Sequence, residues 1–123
     1  MHLMKPVLMT VALLVAGIAF TPMAWADTQT GKTLFDKNCA QCHGPEGKGS
    51  KKGPPLIHPY YNPGHHSDTA FFMAVRKGVK RHHWNFGDMP AQPKVNDNEI
   101  AQIIHYVRQI QEAHGIVYQE HRM

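Results

Sequence analysis

From residue 27 onward, apolar residues recur at helical spacing in three stretches separated by irregular, glycine- and proline-rich segments. In the first, Leu34, Phe35, Cys39 and Cys42 share one face, and Lys32, Asp36 and Lys37 take the other. Thr28 or Thr30 is placed to cap this helix, which runs from about Gly31 into the cysteines. In the second, Phe71, Phe72, Val75 and Val79 form the apolar side behind a Ser67 or Asp68 cap. Gly78 and the basic Lys77, Lys80 and Arg81 mark its end near Val79, and Met73 reads as core filler. In the third, Ile100, Ile103, Ile104, Val107 and Ile110 make one side, with Tyr106 beside them. Asn96 and Glu99 have capping-box spacing, Asp97 adds favourable charge at the helix start, and Gly115 is placed to stop the helix after Ala113. The tail to Met123 reads as frayed. There is no strand signal, internal repeat or low-complexity segment, so the expected class is all-α.

Between these helices, Gly44 to Leu56 reads as loop, with Gly44, Gly47, Gly49, Gly53, Pro45, Pro54 and Pro55. Lys48, Lys51 and Lys52 are most simply solvated there. His58, Tyr60 and Tyr61 continue the irregular path to Gly64. The second loop, His82 to Lys94, is rich in aromatics without strand or helix period. In so small a chain that pattern suggests packing against something large and flat.

The first 26 residues read differently. His2 and Lys5 precede an apolar run from Val7 to Phe20, then Pro22 and the small-x-small run Ala24-Trp25-Ala26. This is the form of a secretory leader cleaved after Ala26. The run is shorter than the roughly 20 residues a spanning helix needs; an uncleaved membrane anchor is the alternative. The expected organisation is a signal peptide over residues 1–26 and one domain over 27–123, with export to the periplasm. The whole chain has 123 residues and formal charge +4. The leader removes one lysine and no acid. A domain of the remaining size is marginal by core burial alone.

Chemistry enters at Cys39-Ala40-Gln41-Cys42-His43. Its cysteines are the only 2 in the sequence, too few for a disulfide scaffold or a four-thiolate zinc site. Cys-x-x-Cys-His is the spacing at which two thiols bond a haem edge and the following histidine ligates its iron. A ligating histidine needs its other ring nitrogen held, and Gly53-Pro54-Pro55-Leu56 is the segment expected to bring a backbone carbonyl there. A buried haem would also supply the missing core, coupling the fold to the cofactor.

These features resemble a small class I c-type cytochrome over nearly all of residues 27–123. That family carries its haem-attachment motif at the end of the first helix, as Cys39, Cys42 and His43 stand here. Gly31 and Phe35 match its glycine and aromatic before the motif, and Gly53-Pro54-Pro55-Leu56 its proximal Gly-Pro-x-Leu. Met89-Pro90 matches its late-loop methionine ligand, and Ile103 with Tyr106 its apolar-x-x-aromatic signature in the last helix, which crosses the first near Gly31 and Phe35. The resemblance implies a cytochrome c fold: about three main helices and long loops wrapped around one covalently bound haem c. It also implies Cys39 and Cys42 as thioether links, His43 as proximal and Met89 as distal iron ligand. Among the methionines after the leader, Met123 is terminal and Met73 mid-helix, and Met89 alone sits in a loop able to fold over the open haem face. His82 and His83 are the rival ligands and would lower the potential.

The remaining histidines, His58, His65, His66, His105, His114 and His121 together with that pair, are expected to be exposed or half-exposed. The His65-His66 and His82-His83 pairs could together hold copper or zinc, although no spacing there is diagnostic. Trp84, Tyr60, Tyr61 and Arg81 are candidates to bind haem propionates, with core packing the default for Trp84. Two propionates would bring the mature protein close to neutral.

The leading functional reading is a periplasmic electron carrier, monomeric and not itself an enzyme, docking briefly with redox protein partners. Its positions Lys48, Lys51, Lys52, Lys77, Lys80 and Arg81 are either a basic docking rim or simply solvated. Nucleic acid is not an expected partner, and no membrane span is expected once the leader is cleaved. One alternative is a cytochrome subunit bound tightly to a larger oxidoreductase. Another is a haem sensor or peroxidase-like enzyme with a displaceable Met89, which would need a distal acid–base group such as His82 or His83.

Overall fold

The computed structural model describes residues 23–120, with side chains from residue 28 onward. The expected leader lies outside the described residues except for the backbone of 23–26, and so do His121 and Met123. Four helices follow in order: α1 (Met23–Asn38), α2 (Ala40–His43), α3 (Asp68–Lys77) and α4 (Asp97–Ala113). Short 3₁₀ turns stand at Pro45–Gly47 and Pro59–Tyr61. Among the described residues no helix is long and apolar enough to cross a membrane. The all-α expectation holds. The sole departure described is an isolated antiparallel bridge between Val79 and Met89.

Helices α1 and α4 form the main packing contact. Gly31 is buried at their crossing, and a Cβ there would collide with the Gln102 carbonyl and come within 2.9 Å of Tyr106 Cβ. The missing side chain therefore sets how closely the backbones approach. One turn on, Phe35 is fully buried with its ring centroid 5.5 Å from that of Tyr106. The core combines these rings with Leu56, Val75, Val95, Ile100, Ile103, Ile104 and Val107. The predicted stripe of α4 is thus the core face, with Ile110 half-buried at its end.

Local capping follows the sequence closely. Asn96 and Glu99 complete the capping box of α4 in both directions, and Ser67 accepts from Ala70 N–H at the start of α3. Gly115, at φ 74°, follows the last turn of α4.

Several expectations need correction. Thr28 and Thr30 lie inside α1 rather than capping it, because helical backbone already begins at Met23. The first helix does not run unbroken into the motif; it stops at Asn38, and α2 restarts at Ala40 after a turn at Cys39. Helix α3 ends at Lys77, two residues short of Val79, because Gly78 turns to φ 76° and the chain leaves to pair with Met89. Met73 is 37% exposed, so it is not core filler. The tail is not frayed over residues 116–120: Ile116 N–H donates to the Gln111 carbonyl, and Gln119 N–H to Asn62 Oδ1.

Candidate functional site

Core side chains do not close on one another. Phe35, Leu56, Val75, Ile103, Ile104 and Val107 each turn a face to a cavity of about 440 Å³. Cys39, His43 and Met89 line the same cavity. Three of the four predicted haem-binding residues therefore meet on one wall system. Cys42 is exposed and does not contribute to that wall.

The His43 side of the cavity is built from backbone. The Cys39–His43 turn is closed by His43 N–H donating to the Cys39 carbonyl at 2.9 Å. Gly49 N–H returns to the His43 carbonyl at 2.6 Å, and Ser50 Oγ donates to the Cys42 carbonyl at 2.6 Å. Gly53 lies so close to Cys42 that a Cβ would sit 2.7 Å from its carbonyl oxygen. This close packing delivers the Pro54 carbonyl to His43 Nδ1 at 2.9 Å. A carbonyl can only accept, so Nδ1 carries the proton and Nε2 keeps its lone pair. Burial holds His43 below the ordinary histidine range, outweighing the opposite effect of the Pro54 hydrogen bond. Burial leaves the imidazole neutral and the Pro54 carbonyl fixes its tautomer, as iron ligation requires. The Cys39 thiol is pushed up to about 11, first by burial and then by the neighbouring Cys42.

Met89 is positioned from the other side of the sequence. It exchanges two backbone hydrogen bonds with Val79, each 2.9 Å. Lys80 Nζ and Arg81 N–H both hold the Asp88 carboxylate, at 2.8 and 3.0 Å. A Cβ on Gly78 would strike the Met89 carbonyl, so the loop needs glycine both for its φ and for that contact. Gln92 N–H ties the far end to the Val75 carbonyl at 2.7 Å.

The aromatic loop does pack around the cavity. Trp84 is half-buried in its lining, not in the core, and donates through Nε1 to Tyr61 Oη at 3.1 Å. Phe86 lines the cavity while 40% exposed. Tyr60 is outside the lining, and Lys80 and Arg81 stand at the exposed mouth. Among the described residues the histidines are exposed or half-exposed as expected; His121 is not described. His65, His66, His82 and His83 gather at the cavity. Burial leads in holding His66 and His83 below the ordinary histidine range, and the neighbouring histidines add to it.

Two residues with no assigned role at the sequence level hold this arrangement together. Gln111, 1% exposed, donates through Nε2 to the Leu56 and Tyr61 carbonyls at 2.9 and 3.1 Å. Arg108 donates to the Tyr61 carbonyl, the Gln111 Oε1, the His66 carbonyl and Asp68, and lies over the Phe71 ring. Gln111 stands four residues after Val107, on the apolar stripe of α4. A polar residue in a buried stripe was the available signal.

The cavity fits a haem. Its volume lies within the range of cofactor sites, its wall is largely apolar, and its donors are thiol, imidazole and thioether. Without a large apolar occupant these core residues would face a void they cannot fill. A family model described as cytochrome c matches residues 28–111. No individual curated protein matches the chain. The matched span runs from α1 across both loops into α4, and the chain belongs to the cytochrome c family, whose members attach haem c covalently and use it to transfer electrons.

Proposed function

We propose that this protein is an exported one-electron carrier in which Cys39 and Cys42 form the haem thioethers, His43 Nε2 is the proximal iron ligand and Met89 Sδ the distal one. The supporting observation is the His43 Nδ1 to Pro54 carbonyl bond in a cavity that Met89 also lines. Haem iron supplies reversible one-electron chemistry when bound. The chain's own work is to fix the His43 tautomer, hold Met89 through the Val79 pairing and exclude water with the apolar wall. Thioether ligation favours the reduced state over a two-histidine site. Lys80 and Arg81 at the mouth favour brief docking with an acidic redox partner.

In this reading residues 1–26 are a leader and the mature periplasmic protein is residues 27–123. Cleavage after Ala26 removes the start of α1. The Gly31–Tyr106 crossing is untouched.

An optical redox titration of the exported holoprotein tests the assignment. The wild type is expected to show a c-type spectrum with the ferric thioether-to-iron band, and Met89→Ala to lose that band and drop in potential. A Met89→Ala protein with the native band refutes the distal assignment. Intact mass giving the full chain plus haem refutes the leader.

A further inference from the structure

Four histidines with no part in the proposed haem ligation converge in the wall of the haem cavity. His65 and His66 precede α3, and His82 and His83 lie on the Met89 loop. The fold brings His65 Nε2 to 3.2 Å from His83 Nε2. One ligand nitrogen from each of His65, His66 and His83 lies within 4.8 Å of the others. The His82 ring stacks on His66 with centroids 5.8 Å apart and lies 4.3 Å from that of His83.

Tetrahedral zinc with bonds of about 2.0–2.1 Å spaces its ligand nitrogens by roughly 3.3 Å. The His65–His83 separation already matches that span, and small ring rotations bring in His66. The proton that His65 and His83 share between their Nε2 atoms is displaced when a cation binds, and the tautomers of the other two rings already suit a metal. His66 Nδ1 lies 2.6 Å from the Tyr60 carbonyl, and His82 Nδ1 lies 3.0 Å from the Lys80 carbonyl. Each Nδ1 therefore carries the proton, leaving Nε2 as a free donor, the arrangement that ligating histidines adopt. Both backbones are held in place beforehand. Arg108 binds the carbonyls of Tyr61 and His66, and the Val79–Met89 pairing closes the loop that carries His82 and His83.

We propose that His65, His66 and His83, with His82 in reach as a fourth ligand, form a site for an imidazole-preferring divalent cation of the zinc or copper kind, distinct from the haem iron. Bound there, the ion ties the segment before α3 to the loop that carries Met89. This inference rests on Met89 rather than His82 or His83 ligating the haem iron, which the ferric thioether band tests separately.

The test uses zinc, which has no redox chemistry to confuse with the haem. Tag-free holoprotein is titrated with zinc chloride by calorimetry in a non-coordinating buffer. One zinc per protein is expected. Affinity should fall at least about tenfold in His65→Ala and in His83→Ala and stay unchanged in His105→Ala, an exposed site on α4. Imidazole nitrogen NMR of the ferrous wild type, independent of any variant's folding, should show zinc moving the His65, His66 and His83 signals together. The inference is overturned if holoprotein takes up no zinc, as when haem propionates occupy these histidines. It is equally overturned if both alanine variants bind as tightly as wild type, or if zinc moves only other histidines.

Discussion

Gln111 is the most informative single residue to perturb, because its cost can be worked from three contacts. It is 1% exposed and supplies the Leu56 carbonyl with its donor, at 2.9 Å. Replacement by methionine keeps the length and apolar bulk but removes both amide functions. The Leu56 carbonyl then loses that donor in the interior, at about 1–3 kcal/mol. The Tyr61 carbonyl retains Arg108 Nη1 at 2.8 Å, so its loss is the ordinary net worth of a hydrogen bond, roughly 0.5–1.5 kcal/mol. Arg108 likewise loses one acceptor and keeps its others. Gln111→Met is therefore expected to cost about 2–4 kcal/mol, a large part of a typical stability of roughly 5–15 kcal/mol. Gln111→Ala should cost about 1–2 kcal/mol more, since it also removes the buried γ-methylene, worth about 0.8 kcal/mol, and leaves the side chain's space empty. Urea unfolding of the ferric holoproteins, followed by far-ultraviolet circular dichroism, reads this as a midpoint lowered by about 1–2 M at an ordinary urea slope. A Gln111→Met protein within about 0.5 kcal/mol of wild type would refute the reasoning, because packing alone would then account for the site.

Two further expectations follow from the same geometry. Gly31→Ala places a methyl against the Gln102 carbonyl and Tyr106, so α1 and α4 must separate; a loss of at least about 1–3 kcal/mol is expected in thermal unfolding, and an unchanged midpoint would refute the close crossing. The Lys80 ammonium and then the Arg81 N–H hold the exposed Asp88 carboxyl below the usual carboxylate range. Because its folded value lies below the unfolded value of about 3.9, its contribution is fully present above that pH and fades as pH falls through the lowered value. The stability gap between wild type and Asp88→Asn should therefore be constant near neutrality and shrink in acid; a gap that widens in acid contradicts the loop assignment.

Much of the molecule was legible in the chain because the deciding interactions are local. Asn96 with Glu99 and Ser67 with Ala70 N–H close within three residues, so their caps could be read directly. Gly78 and Gly115 stop helices for the same local reason, a backbone angle that side chains resist. The Gly31 and Phe35 positions announced a close helix crossing through the family pattern. Where the reading failed, the deciding contact was distant. Helix α3 ends early because residue 79 pairs with residue 89, and the chain over residues 116–120 is held because Asn62 receives Gln119.

The sequence by itself determined the helical class, the Cys39–His43 motif and the identity of every side chain that could face a haem. Tertiary structure decided which of them meet. The Pro54 carbonyl reaches His43 because Gly53 allows the chain to pack on Cys42. Gln111 and Arg108 fix the segment after the motif through carbonyls of Leu56, Tyr61 and His66, contacts spanning more than forty residues that no periodicity encodes. The two histidine pairs are ordinary polar residues along the chain, and they become a cluster because those same carbonyl anchors and the Val79–Met89 pairing bring their loops together. Helical pattern and caps act over one turn. Loop paths are set by where buried polar groups find partners, and that is a property of the folded whole.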